Sequence, residues 1–296
     1  MQDYIIKNVR IVDGTGMPYF HGEVAVKEGI ITRVGWKIAE GASRVLDGHG
    51  MVLAPGFIDS HSHSDTTWFM DPRGESKLMQ GVTTEVTGQC GGSPAPTTGK
   101  TRDGMVDPEA SAELTFPTFA EYLDALEKNG VGLNIAPLVG HGSLRSAVLG
   151  YEDRPPTTPE INEMKKLLVE AMEAGAFGYS SGLIYPPGSY AGTPELIELA
   201  KAMAPFGGIY ATHMRNEGGD LLQSVAETLE IGRAAGVPVQ ISHHKVTGNE
   251  KVWGLVKDSL EMIDEARKEG LDVLCDQYPY AASATSFKTN IPAWAH

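Results

Sequence analysis

Residues 54–63, with the sequence APGFIDSHSH, mark the point at which the pattern of the chain changes. Before them, alternating apolar residues and turn signals predict strands over residues 4–12, 44–47 and 51–53 and a β-hairpin over 23–34. After them, β-like runs alternate with helical stretches. The sequence therefore predicts two parts, a small antiparallel β unit over 1–55 and a larger α/β part over 56–296.

The larger part has the pattern of a parallel α/β fold. Its β-like runs are 57–63, 83–88, 134–141, 177–183, 209–214, 239–245 and 273–279. Strands that alternate with helices pair in parallel through crossover connections. The seven runs predict a TIM-like (β/α)8 barrel in which seven of the eight strands are visible. We expect a C-terminal segment or a second chain to complete it.

Composition excludes several classes of function. The chain has 296 residues and a net charge of −14, which would repel a polyanion such as nucleic acid. No apolar run approaches the roughly 18 residues of a membrane helix, and the N-terminus lacks a signal-peptide pattern. Two cysteines cannot form a disulfide framework. We expect a cytoplasmic protein that binds neither nucleic acid nor membranes.

Six of the nine histidines lie at the C-terminal ends of predicted strands, where barrels of this type carry their active sites. They are His61, His63, His141, His213, His243 and His244. Within a strand, His61 and His63 would point to one side and could share a metal ion. Cys90 lies beside glycines after the second run, and a thiolate among imidazoles is a good zinc ligand.

Cations and tyrosines accompany these histidines. Arg215 and Lys245 each lie two residues after a strand-end histidine, so each is either a contact for a substrate carboxylate or a solvated loop charge. Tyr185 follows the run 177–183, and Tyr278 and Tyr280 lie where the run 273–279 ends. These tyrosines either pack at the mouth of the barrel or bind a carbonyl or carboxylate oxygen.

Taken in order, these motifs resemble the amidohydrolase superfamily, and most closely its N-acyl-D-amino-acid deacylases (D-aminoacylases). The resemblance rests on 54–63 and on QCG at 89–91, VGHG at 139–142, GLIYPPG at 182–188, THMR at 212–215, SHHK at 242–245 and YPY at 278–280. It implies that residues 1–55 are a portion of a β-sandwich and that 56–296 form a metal-dependent barrel. It also implies zinc-dependent hydrolysis of N-acyl-D-amino acids to a carboxylate and a D-amino acid.

The same resemblance implies a role for each candidate ligand. Cys90, His213 and His243 would hold one tightly bound zinc ion. His61 and His63, with Cys90 bridging, would form a weaker second metal site. The run 177–183 contains no lysine, so a carboxylated lysine cannot bridge the two metals, and Cys90 is the bridging candidate.

Substrate contacts follow from the resemblance in the same way. Lys245, Tyr185 and Tyr278 or Tyr280 would contact a small N-acyl amino acid, and Arg215 is a further candidate for its carboxylate. The general base would be an aspartate beyond residue 296, so no residue of this sequence receives that role.

Two other functions fit parts of the sequence. A cyclic amidase of the dihydroorotase or hydantoinase type shares the His-x-His pair but usually has a lysine in the fourth strand. A non-catalytic metal-binding fragment that needs a partner chain would explain the visible strand count. His243 is preferred over His244 as the zinc ligand by analogy with related barrels, and both stay open at the level of the sequence.

Overall fold

The computed structural model describes residues 1–97, 114, 116–286, 289 and 291. The chain divides into two compact units, Met1–Phe57 and Ile58–His296. Their boundary falls close to the change of pattern around residues 54–63. That the first unit is a portion of a β-sandwich stays a prediction.

The first unit is a five-stranded sheet. Its strands are β1 (Gln2–Ile11), β2 (Phe20–Lys27), β3 (Ile30–Gly35), β4 (Ala42–Asp47) and β5 (Val52–Leu53). Strand β2 pairs antiparallel with β1 and β3, as predicted, but β4 and β5 run parallel to β1. The prediction of a purely antiparallel unit is therefore wrong. The chain crosses over between β3 and β4, and buried Ile38 of this crossover packs with Ile5 and Ala25.

The second unit has its strands at the seven predicted positions. They are β6 (Phe57–Asp59), β7 (Val82–Thr87), β8 (Asn134–Pro137), β9 (Val139–Gly140), β10 (Gly178–Gly182), β11 (Ile209–His213), β12 (Val239–Ile241) and β13 (Val273–Cys275). The third predicted strand is divided into β8 and β9. Strands β9 to β13 form one parallel sheet in chain order, and β6, β7 and β8 form another sheet in which β7 and β8 are parallel. The fold is therefore α/β with parallel sheets.

Seven α-helices lie among the described residues. They are α1 (Glu75–Leu78), α2 (Phe119–Asn129), α3 (His141–Val148), α4 (Thr158–Ala174), α5 (Thr193–Met203), α6 (Leu221–Ala235) and α7 (Leu255–Lys268). Consecutive helices from α4 to α7 contact one another. No helix in the described ranges is long and apolar enough to cross a membrane.

A capping pattern at residues 157–160 and apolar residues at helical spacing after it predict a helix ending near Gly175, and α4 forms there. The Glu160 carboxylate accepts hydrogen bonds from the backbone N–H and the hydroxyl of Thr157, both at 2.8 Å. Met164, Leu168 and Ala171, spaced to share one helix face, are buried in the core. The capping residues and the spacing of the apolar residues both indicate the same helix, which is why the sequence predicts it correctly.

Asn249 and Glu250, followed by apolar residues at helical spacing, predict a helix start near residue 250, but α7 begins later, at Leu255. Two local hydrogen bonds hold the preceding residues in turns. The Asn249 side chain accepts from the N–H of Lys251 at 3.1 Å, and the Trp253 indole donates to the carbonyl of Gly248 at 3.1 Å. Such side-chain bonds compete with helix formation, and the sequence pattern did not reveal them.

The N-terminus of α2 provides a test of local stability. The Thr118 hydroxyl accepts from the N–H of Glu121 at 3.2 Å, and the Glu121 carboxylate accepts from the N–H of Thr118 at 3.3 Å. Thr118→Ala removes the first bond and is expected to lower the free energy of unfolding by about 0.5–2 kcal/mol. Denaturant unfolding measures this change. Thr118→Ser, which keeps the hydroxyl, is the control, and equal stability of Thr118→Ala and wild type would contradict the role of the cap.

Candidate active site

A tight loop after β7 presents the single cysteine of the site. Gly88 and Gly91 have φ of +71° and +80°, and Cys90 between them has φ of +54°. A Cβ on Gly88 would lie 1.9 Å from the carbonyl oxygen of Leu138, and one on Gly91 would lie 2.6 Å from the nitrogen of Gly182. Only glycine allows so close an approach, so these two positions fix where Cys90 lies.

The Cys90 thiol lies among four imidazoles. Its Sγ is 3.5 Å from Nε2 of His61 and 3.6 Å from Nε2 of His243. Ligand atoms of Cys90, His213 and His243 all lie within 4.8 Å of one another, and the same holds for Cys90, His61 and His63. These are the two residue sets for which the sequence predicts metal sites, and Cys90 belongs to both.

The chemistry of these donors fits a divalent cation. Nε2 of His213 is buried and has no hydrogen-bond partner within the described part of the chain. Burial, together with neighbouring His243, lowers the pKa of His213 to about 3, so the imidazole is neutral and its lone pair is available. Burial raises the pKa of the Cys90 thiol, and the negative charge of Asp276 adds to this. A thiolate there needs a cation, and neutral imidazoles with a thiolate are ligands that zinc prefers.

His61 and His63 lie in the site, but the backbone that positions them is a turn and not the predicted strand. Strand β6 ends at Asp59, so strand alternation does not place His61 and His63. The Asp59 carboxylate instead accepts from the N–H of His61 at 3.2 Å, and the N–H of Ser62 donates to the carbonyl of Val86 at 3.0 Å. These bonds turn the chain after the strand. The two rings still lie side by side, with centroids 5.3 Å apart.

Strand β12 is also shorter than predicted. It ends at Ile241, and His243 has φ of +36°, so strand alternation does not place Lys245 beside His243. The Lys245 ammonium nevertheless folds back to donate to the carbonyl of His243 at 3.1 Å. His244 is turned away, and its Nε2 lies 2.9 Å from Oγ of buried Ser259. Of the two neighbouring histidines, the structure places only His243 in the cluster.

Two carboxylates complete the site, and the sequence analysis assigned a role to neither. The Glu217 carboxylate accepts from Nδ1 of His243 at 2.7 Å and from Nζ of Lys245 at 2.6 Å. Asp276 accepts from the backbone N–H of His243 at 2.7 Å, and its other oxygen lies 3.4 Å from Nδ1 of His61. Asp276 directly follows β13, so its strand-end position was the signal that could have found it.

The three predicted tyrosines have different surroundings. The Tyr185 hydroxyl is 3.5 Å from Nδ1 of His213. Nζ of Lys245 lies 5.5 Å from the centroid of the Tyr278 ring. Tyr280 is largely exposed. Of the three, Tyr185 approaches a candidate metal ligand and Tyr278 approaches Lys245.

Arg215 lies beside the site, but most of its hydrogen-bond donors are already used. Its Nε and Nη2 donate to the carboxylate of Glu227 at 3.1 and 2.9 Å. Nη1 and Nη2 also donate to the carbonyls of Ser189 and Ala191 at 3.2 and 2.9 Å. These bonds join the loop at 189–191 to α6. Arg215 is consequently a weaker candidate for a substrate carboxylate than Lys245.

His141, another of the strand-end histidines, belongs to a separate buried network. Its Nε2 donates to the carboxylate of Glu195 at 2.9 Å, and the other carboxylate oxygen accepts from Arg145 at 2.6 Å. All three side chains are buried. This arrangement is that of a paired interior charge, and it places His141 outside the two candidate metal groups.

Two cavities adjoin the cluster. One has a volume of about 600 Å³ and is lined by His61, His63, Tyr278 and Tyr280 among other residues. The second, of about 290 Å³, is bordered by His213 together with residues 215–219. The larger cavity has the size of a small-molecule site.

A model of the amidohydrolase family matches residues 44–296. The chain belongs to this family. The matched residues include both candidate metal groups and both carboxylates behind them.

Within this family, the chain is similar to D-aminoacylase and to N-acyl-D-glutamate deacylase. The D-aminoacylase of Alcaligenes xylosoxydans xylosoxydans is 40% identical over 287 residues, which cover 97% of this chain and 59% of that protein. A structure of D-aminoacylase, solved in a study of its binuclear metal centre, has a TM-score of 0.87 at 40% identity and covers 95% of this chain and 59% of that one. N-acyl-D-glutamate deacylase from Bordetella bronchiseptica, complexed with zinc and a phosphonate mimic of the tetrahedral intermediate, has a TM-score of 0.85 at 36% identity and covers 94% and 59%. The chain thus spans about three-fifths of the length of these amidohydrolases.

Proposed function

We propose that the protein is a zinc-dependent deacylase of N-acyl-D-amino acids, which hydrolyses the amide bond to release a carboxylate and a D-amino acid. The observation that carries this proposal is the convergence of Cys90, His213 and His243 on one point of the second unit. The 40% identity to D-aminoacylase supports the reaction type and the D configuration of the substrate. Within this proposal, β6–β13 belong to a (β/α)8 barrel and the first unit is a portion of a β-sandwich.

We propose two zinc sites, formed by the cysteine and histidine side chains that lie close together. Cys90, His213 and His243 hold one tight zinc ion, and His61 and His63, with Cys90 shared, hold a weaker second ion. A zinc ion held by these residues would supply a Lewis acid, which lowers the pKa of water towards neutrality and polarises a carbonyl group. The neutral imidazole of His213 and the partly buried thiol of Cys90 would contribute two of the donor atoms.

Lys245 is proposed to bind the α-carboxylate of the substrate. The ammonium lies beside His243, so a carboxylate held there would place the adjacent amide close to the metal ligands. Tyr185, whose hydroxyl lies 3.5 Å from Nδ1 of His213, is proposed to contact the substrate carbonyl. Tyr278 and Tyr280 line the larger cavity and are proposed to contact the rest of the substrate.

Proton transfer is assigned to neither nearby carboxylate. Glu217 already accepts from His243 and Lys245, and Asp276 accepts from Gln240 at 2.7 Å and from the N–H of His243. A general base must be available to the proton that it removes. These two carboxylates are therefore proposed to support their neighbours, and neither receives this role.

A linear amide fits the site better than a cyclic one. Strand β10, with the sequence GYSSG, carries no lysine that could be carboxylated to bridge two metals. The shared thiol of Cys90 takes that position instead. Lys245 in addition offers a cation for a free α-carboxylate, which favours an N-acyl amino acid.

The test compares substrates on the intact protein. N-acetyl-D-amino acids, their L enantiomers, dihydroorotate and a hydantoin are assayed side by side by release of product. We expect turnover of the D-amino acid derivatives well above that of all the others. Preferred turnover of a cyclic amide would replace the proposal by the cyclic amidase. Zinc binding without turnover of any of these substrates would instead favour a non-catalytic metal-binding role.

A further inference from the structure

We propose that Glu217 is a positioning residue whose one carboxylate holds both the zinc ligand His243 and the substrate contact Lys245. This inference rests on the proposed function. It predicts that the two binding events, of metal and of substrate carboxylate, depend on the same side chain. The argument comes from what each oxygen of Glu217 accepts.

One oxygen of the carboxylate sets the tautomer of His243. Oε1 of Glu217 lies 2.7 Å from Nδ1 of His243, and an ionised carboxylate can only accept a hydrogen bond. Nδ1 therefore carries the proton, and the lone pair is on Nε2. Nε2 is the atom that lies 3.6 Å from Sγ of Cys90. A carboxylate behind a ligating imidazole fixes its orientation and increases its basicity.

The other oxygen holds Lys245. Oε2 of Glu217 accepts from Nζ at 2.6 Å, and the carbonyl of His243 accepts from Nζ at 3.1 Å. Nζ also lies 3.2 Å from Nδ1 of His243, but a protonated Nδ1 cannot accept from it. An ammonium has three donors, so one N–H of Lys245 is left for a substrate carboxylate.

The surroundings strengthen these contacts. The side chains of Glu217, His243 and Lys245 are 10%, 11% and 16% exposed, so water screens their charges only weakly. The Glu217 carboxylate therefore lies within hydrogen-bond distance of both partners in a position that is largely buried.

The first test measures zinc affinity of the intact protein by competition with a chelator. Glu217→Gln keeps the shape of the side chain but removes the charge and one of its two acceptor oxygens. We expect zinc to bind about 10–100-fold more weakly, the effect of losing such a partner of a ligand. Glu227→Gln is the matched control. Glu227 pairs with Arg215, two residues before Glu217 in the chain, and belongs to neither candidate metal group. We expect that control to bind zinc as tightly as wild type.

The second test separates the two roles with a double-mutant cycle. In the wild-type background, Glu217→Gln is expected to raise KM for an N-acyl-D-amino acid in zinc-saturated protein. In a Lys245→Met background this rise in KM should largely disappear, while the loss of zinc affinity should remain. A residue that only maintained the fold would affect KM equally in both backgrounds, and that result would overturn the inference.

The zinc-binding measurements also distinguish a failure of the proposed function from a failure of the inference about Glu217. If wild type binds no zinc, the proposed function fails and this inference fails with it. If wild type binds zinc and Glu217→Gln binds it equally well, only this inference is overturned. Complete loss of zinc at saturating concentration in Glu217→Gln would make Glu217 a ligand and would also overturn the positioning role. Should Glu217→Gln not fold, Glu217→Asp, which keeps the charge on a shorter side chain, is expected to give a smaller loss of affinity in the same direction.

Discussion

Cys90→Ala is expected to abolish tight zinc binding. Cys90 is the one residue common to both candidate metal groups, and its removal leaves two imidazoles at each of them. Losing a direct ligand should exceed the roughly 10–100-fold cost of losing a supporting partner, so affinity should fall by more than about 100-fold. Elemental analysis after gel filtration checks this, with about one zinc per chain expected in wild type and almost none in the variant.

The chain supplies its own control for this substitution. Cys275, its only other cysteine, is exposed on β13 and belongs to neither candidate metal group. Cys275→Ala should therefore retain the zinc content of wild type. Full retention of zinc in Cys90→Ala would remove the cysteine from the site and with it the proposed bridging role.

Lys245→Met is expected to lower kcat/KM for an N-acyl-D-amino acid by about 1.5–3 kcal/mol, or roughly 10–150-fold. The reason is the loss of a charge-assisted hydrogen bond to the substrate carboxylate from a cation that is mostly shielded from water. Steady-state kinetics on the matching N-acyl amino-acid amide provide the comparison, because that substrate has no carboxylate. For the amide we expect a much smaller loss.

Lys251→Met is the matched variant for this experiment. Lys251 is exposed and lies in the loop before α7, six residues from Lys245 along the chain. The Lys251→Met variant should have the same kcat/KM as wild type for both the acid and the amide. An equal loss for the acid and the amide in Lys245→Met would show that the lysine does not recognise the carboxylate.

Periodicity predicted the larger elements well. Helix α4 could be located because its capping residues and its buried face at Met164, Leu168 and Ala171 follow one local pattern. The positions of the parallel strands followed from their alternation with helices. These features depend on neighbours in the sequence, which a single sequence displays.

What the sequence did not reveal depends on contacts between distant segments. Glu217 accepts a hydrogen bond from His243, which lies 26 residues later in the sequence. Asp276 contacts His61, which lies near the start of the second unit in the sequence. The parallel pairing of β4 with β1 arises from a crossover that no local turn signal marks. His141 matched the strand-end pattern, yet its partner Glu195 lies on another helix and binds it in the interior.

Zinc titration of metal-free protein tests the central proposal most directly. The intact protein is stripped with a chelator, and hydrolysis of an N-acetyl-D-amino acid is followed as zinc is returned. We predict no turnover without metal and a rise that reaches its maximum at about one zinc per chain, the capacity of the proposed tight site. Full activity in the stripped protein, or zinc binding by the intact protein with no hydrolysis at any ratio, would contradict the proposal that this cluster is the centre of a zinc-dependent deacylase.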